Sequence, residues 1–186
     1  MQTIRPDSLT AEFYNDGPVI FLYDDQSQEA IKAVDPSILE GHGKSDVNAE
    51  LFEVVEKGLL VAYELFQDDE IALEVSIGDP LSDQECAVLN PCLPVQRAYL
   101  NLPSGKLAIE GYSNLRLSPD FDPDEEPGAL LDVPSGEYIV SLYSVDGYAQ
   151  EENTEEVSKP NHLFVLTPVS QAEPFLERKP LLEADI

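Results

Sequence analysis

Residues 129–148, ALLDVPSGEYIVSLYSVDGY, decide the fold class, because they read as strand, turn and strand. Pro134 presets φ for the second position of a type I turn, and Ser135 and Gly136 suit the third and fourth. After the turn Tyr138, Val140 and Leu142 alternate with Glu137, Ile139 and Ser141, and before it Leu131 and Val133 bracket Asp132. Alternation with period two in aromatic and β-branched residues signals strands, so the expectation is a hairpin.

The pattern recurs 31 positions earlier in residues 98–115, AYLNLPSGKLAIEGYSNL. Aligned on Pro103 and Pro134, the two segments are identical at seven of eighteen positions, including Ser104 with Ser135, Gly105 with Gly136 and Tyr112 with Tyr143. Leu107 and Ile109 fall where Tyr138 and Val140 do, and Lys106 and Glu110 match the more polar face of Glu137 and Ser141. Either a unit is duplicated, or two hairpins with one turn type look alike. Two copies are too few for a solenoid, which needs three.

Other segments fit the same picture. PVIFLY, residues 18–23, is a short apolar run expected as a buried strand. Residues 59–78 read as another hairpin, with Val61, Tyr63 and Leu65, then Ile71, Leu73, Val75 and Ile77, on the core side. Ala72, Glu74 and Ser76 are expected on a wet face. HLFVLTPV, residues 162–169, reads as the last strand. Ser27 is placed to cap a short helix ended by Asp35 and Pro36, and residues 49–57 suit a short helix or an irregular strand. Residues 79–96, with three prolines, read as loop with an edge strand near Cys86 to Leu89.

The resulting fold class is all-β: a predominantly antiparallel β-sandwich of seven to nine strands with one or two short helices. Residues 1–170 form one domain, and 171–186 form a proline-punctuated tail.

Charge narrows the partners. Thirty-seven acids against ten bases give a net charge of −27, while the apolar residues recur at strand spacing, so the expectation is a folded body with an acidic coat. Direct binding to nucleic acid or an anionic membrane needs clustered Lys and Arg, which are sparse and scattered here. A basic protein or a divalent cation is the better match. The first seventeen residues hold no apolar run of a secretory signal, no segment reaches membrane-spanning length, and Cys86 and Cys92 are expected as free thiols in a reducing cytoplasm. A bridge across their small loop is the alternative.

Acids concentrate beside the organising stretch. Residues 118–128, SPDFDPDEEPG, form a linker of proline and acid, and residues 120–160 hold twelve acids and one base. Asp120, Asp122 and Asp124 alternate as oxygen ligands of calcium do, with Glu125 and Glu126 beside them. An EF-hand is excluded, because its sixth position would be Glu125 instead of Gly and its twelfth Leu131 instead of Glu. Tyr112 and Tyr143, with Tyr99 and Tyr148, are candidates for a patch that takes a sugar or a partner protein, or for ordinary packing. Gly43, Lys44 and Ser45 end like a phosphate loop, but Ile38 stands where its first glycine belongs. His42 and His162 are distant and show no metal spacing with the cysteines, and no nucleophile signature surrounds Ser135, Ser144, Cys86 or Cys92.

Residues Val133 to Tyr143, VPSGEYIVSLY, resemble a strand pattern of small bacterial β proteins that include the competence protein J type of nuclease inhibitor. The resemblance covers eleven residues, mostly turn chemistry, and implies an acidic inhibitor. The functional expectation is a cytoplasmic, non-enzymatic interaction protein docking a basic partner through Asp120, Asp122, Asp124, Glu125 and Glu126, with Tyr112 and Tyr143. A calcium- or carbohydrate-binding module and a hydrolase with a cryptic carboxylate or triad site are the alternatives.

Overall fold

The period-two segments form nine strands among the residues that a computed structural model describes, which are 3–15, 19–34, 49–64, 69–87, 96–111, 115–117, 128–144 and 162–170. In chain order they are β1 (Leu9–Asn15), β2 (Val19–Asp24), β3 (Leu60–Glu64), β4 (Asp69–Ile77), β5 (Gln96–Leu102), β6 (Lys106–Gly111), β7 (Ala129–Asp132), β8 (Gly136–Ser144) and β9 (His162–Pro168). One sheet has the order β1-β4-β9-β8-β5 and the other β3-β2-β6-β7. Among the described strands only the β4–β9 pairing is parallel. The expected antiparallel-dominated sandwich is therefore observed.

The three expected hairpins are not hairpins. β7 pairs with β6 in the four-stranded sheet, while β8 pairs with β5 and β9 in the five-stranded one. The turn at Pro134 thus carries the chain from one sheet to the other. Pro103 does the same between β5 and β6, and β3 and β4 also lie in different sheets. The physical reason is that both arms of each unit carry apolar side chains for one core. Leu100, Leu102, Leu107, Ile109, Val140 and Leu142 all enter the cluster between the sheets, and an arch aims its two arms at each other across that layer. Alternation along a strand is identical in an arch and a hairpin, so the pattern could not separate them.

The internal echo extends to the pairing. Ala98 faces Val140 in the five-stranded sheet. Ala129, 31 positions after Ala98, faces Ile109, 31 positions before Val140, in the other sheet. Leu100 with Tyr138 and Leu131 with Leu107 repeat the relation. The two arches are related by an approximate twofold that exchanges the sheets, a correspondence that similar turns alone do not require. They meet at their turns: the Val133 amide donates to the Gly105 carbonyl at 2.9 Å. Gly105 has φ 72°, and a Cβ there would lie 2.4 Å from the Val133 carbonyl oxygen, so only glycine fits.

Among the described residues three short helices accompany the strands, α1 (Gln28–Val34), α2 (Ala49–Glu56) and α3 (Asp83–Cys86). A 3-10 turn at Asp25–Ser27 leads into α1, capped by Asp24, whose carboxylate accepts the Gln26 amide; the cap was expected at Ser27. α2 ends at Gly58, φ 67°, with the left-handed closure in which Leu59 N–H returns to the Val54 carbonyl. Of the edge strand expected from Cys86 to Leu89, Cys86 is instead the last residue of α3 and Ala87 its C-cap, and Val88 and Leu89 lie outside the described residues. Ser82 and Glu85 form a reciprocal capping box around its first turn.

Both outer faces are partly covered. Phe21, Tyr23 and Ala108 pack with Ile31 of α1, Val54 of α2, and Leu115 and Leu117. β2 is consequently buried on both faces, which explains its unbroken apolar run. On the other sheet Tyr143, Leu163 and Val165 pack under Ile4 and Leu81. The face expected to be wet on β4 is not: Glu74 and Ser76 are buried. Its polar residues are matched by donors from the N-terminal segment, a pairing 70 positions away in sequence. Cys86 is disulfide-bonded, against the expected free thiol. No helix among the described residues is long and apolar enough to cross a membrane. The tail at 171–186 and the loop at 38–46 lie outside the described residues.

Candidate functional site

Three buried or half-buried carboxylate clusters organise the polar chemistry. The first centres on Glu110 of β6, fully buried on the helix-covered face. It accepts from the Tyr23 hydroxyl at 2.6 Å and the Arg116 backbone amide at 3.0 Å, and pairs with Arg116 Nε. Arg116 Nη1 then reaches Asp25 at 2.6 Å. Burial pushes the Tyr23 phenol far above its ordinary value, and the Glu110 charge adds to the effect. The second is Asp24, also fully buried, which accepts from the Ser104 amide at 2.8 Å and from the Ser104 hydroxyl. It ties the turn between β5 and β6 to the end of β2.

The third lies on the opposite face. Glu74 accepts the Ile4 amide at 2.7 Å, the Arg5 amide at 2.9 Å and the Ser8 hydroxyl at 2.6 Å. The Arg5 guanidinium grips Glu85 through Nε at 2.5 Å and Nη2 at 3.2 Å, and also donates to Ser76 Oγ and the Pro80 carbonyl. The hydrogen bond from Arg5, followed by those from the Ser82 amide and hydroxyl, lowers the Glu85 carboxyl from 4.5 to about 2.

In each cluster the carboxylate meets donors from its own chain. These clusters hold segments together, and among the described residues no group of three or more His, Cys, Asp or Glu could hold a metal ion.

Of the residues singled out from the sequence, Asp120, Asp122, Asp124, Glu125, Glu126 and Tyr112 lie outside the described residues, as do His42 and Tyr148. Tyr143 is 4% exposed and packs with Leu163 and Val165. Tyr99 lies half-buried against Gly58, where a Cβ would come within 2.3 Å of its ring. His162 opens β9. The described residues flanking the acidic linker converge: Arg116 binds Glu110, and Gly128 presses so closely on β6 that a Cβ would lie 2.1 Å from the Ile109 carbonyl oxygen. Sequence reasoning passed over Tyr23, Asp25, Glu110 and Arg116. The available signal was scarcity, since a chain with ten bases places one of them six residues after a strand carboxylate.

The fold and its clusters define an acidic two-sheet sandwich with helices over one face. Among solved structures the chain is similar to crocagin biosynthetic gene J, with a TM-score of 0.52 and 17% identity over 87% of this chain and 98% of that chain. It is also similar to ComJ of Bacillus subtilis, an inhibitor of the DNA-degrading activity of NucA, with a TM-score of 0.48 and 9% identity over 88% of this chain and 98% of that one. The first of these likenesses, at 17% identity, speaks to fold alone. No protein-family model and no curated protein matches the chain.

Proposed function

We propose that the protein is a non-enzymatic acidic interaction protein that docks a basic protein partner and occupies its positive cleft as an inhibitor or adaptor. The observation that carries this reading is the disposition of charge. The net charge is −27, and four bases, Arg5, Lys57, Lys106 and Arg116, are engaged in ion pairs with acids of the same chain. Cations neutralised in place leave the remaining acids to set the surface field, which steers basic partners and repels nucleic acid. Asp120, Asp122, Asp124, Glu125 and Glu126 carry the electrostatic part of docking, on a linker whose flanks both rest on β6.

The test is affinity capture from native cell extract, with washes at low and then moderate salt and identification of the released proteins. One basic protein released by salt supports the reading. Association with that protein is then measured after replacing the five linker acids with Asn and Gln. Slower association and a flatter salt dependence are expected, and unchanged kinetics overturn the assignment.

A further inference from the structure

The sandwich has two open sides, and among the described residues only one of them is closed over. On the closed side β5 and β3 are the edge strands. There the Gly58 carbonyl, at the end of α2, accepts the Asn101 amide of β5 at 2.8 Å, and Tyr99 lies against Gly58. The core-facing residues of that side, Ala98, Leu100 and Leu102 of β5 and Val61 of β3, are all buried.

On the other side the edge strands are β1 and β7, which lie against each other across the layer. Their core-facing residues are Leu9, Ala11 and Phe13 of β1 and Ala129 and Leu131 of β7, and all five pack on the central cluster while staying only half-buried. Among the described residues no other partly buried apolar side chain packs on that cluster. The apolar layer is thus uncovered along one side. Among the described strands β1 pairs only with β4 and β7 only with β6, so each keeps one edge that faces no described strand. β1 also lacks the devices that blunt an edge: LTAEFYN holds no Pro, Gly or Lys and runs in unbroken register with β4. Tyr14 and Leu130, exposed at 59% and 52%, stand on the outer faces of these same two strands.

We propose that β1 receives a strand from the partner protein, an extended segment that alternates apolar with basic residues. Its main chain extends the five-stranded sheet, and its apolar side chains enter the gap between the half-buried residues of β1 and β7. Its Lys and Arg side chains emerge on the face of Thr10, Glu12 and Tyr14, and neither β1 nor β7 carries a base to oppose them. A strand from a second copy would bring a net charge of −27 against −27, which opposes self-pairing. The basic character of the segment rests on the function proposed above, and its position rests on the geometry of the two edges.

The probe is a peptide with blocked termini, about nine residues long, that alternates Val with Lys. Successive N–H groups of a strand point to opposite edges, so methylating alternate amide nitrogens blocks one edge and spares the other without changing the charge. Both methylated forms are compared with the parent by titration at moderate salt, and amide hydrogen exchange on the full chain locates the site. The parent is expected to bind and to slow exchange in Leu9–Asn15 about tenfold, leaving Gln96–Leu102 unchanged. One methylated form is expected to bind at least about tenfold more weakly, and the other as the parent does. Equal binding of all three, or protection away from β1, overturns the strand addition and leaves the basic-partner reading standing. A peptide alternating Val with Glu that binds equally well overturns the basic occupant. No binding by any peptide overturns the strand addition, and the capture experiment then decides the basic-partner reading alone. A dimer in sedimentation, with β1 amides protected as protein concentration rises, assigns the edge to a second copy and overturns the proposal too.

Discussion

Glu110 is fully buried, and its charge is tolerated because Arg116 and Tyr23 donate to it. Arg116→Met removes the compensating cation and should cost about 3 kcal/mol, read as a lower urea midpoint. Tyr23 adds a pH dependence. Its phenol is raised well above 10 in the folded state, so the folded protein holds the proton more tightly than the unfolded chain. That contribution is complete below about pH 10 and is lost as pH rises further. The urea midpoint should therefore fall on the alkaline side, with a shallower slope in Tyr23→Phe. Glu85 has the opposite sign. Its carboxyl is lowered to about 2, so its contribution is present above the ordinary 4.5 and disappears as pH falls from there toward 2. In Arg5→Gln the acid-side decline should be weaker, measured as midpoints between about pH 5 and about pH 2. The pairs Arg5 with Glu85 and Tyr23 with Glu110 could not be read from the sequence alone, because strand order brings each pair together. Arg5 and Glu85 are 80 positions apart, and Tyr23 and Glu110 are 87 apart.

At the scale of elements, the turn glycines differ in what they do. Gly105 has φ 72° and faces the Val133 carbonyl; Gly78 has φ 141°, with nothing within 4 Å of a Cβ. Gly105→Ala should cost about 2 kcal/mol or more, from backbone strain plus displacement of the facing arch. Gly78→Ala should cost about 1 kcal/mol, from strain alone. Thermal unfolding of the two variants separates the terms, and equal losses would contradict the close approach of the two arches. Most strand positions and the PSG turns were readable because they follow from local backbone geometry. β1 was missed although Leu9, Ala11 and Phe13 alternate with Thr10, Glu12 and Tyr14; its core side is only half-buried, so its apolar signal is weak. α3 was missed because prolines on both sides made the segment look like loop.

For the whole molecule, a net charge of −27 means that folding gathers like charges. Screening should relieve the repulsion, so Tm is expected to rise by several degrees between about 0.02 M and about 0.5 M sodium chloride. A Tm indifferent to salt would show that the acids are already balanced within the fold. The sequence by itself determined the net charge of −27, the all-β class and most of the strands with their alternation, because period two is a property of each strand's own pleat. Only the tertiary structure decided that the units around Pro103 and Pro134 are arches, that Glu74 and Glu110 are buried, and that Cys86 is bridged. Strand partners and burial depend on which distant segments meet across the core, and local alternation carries no record of that choice.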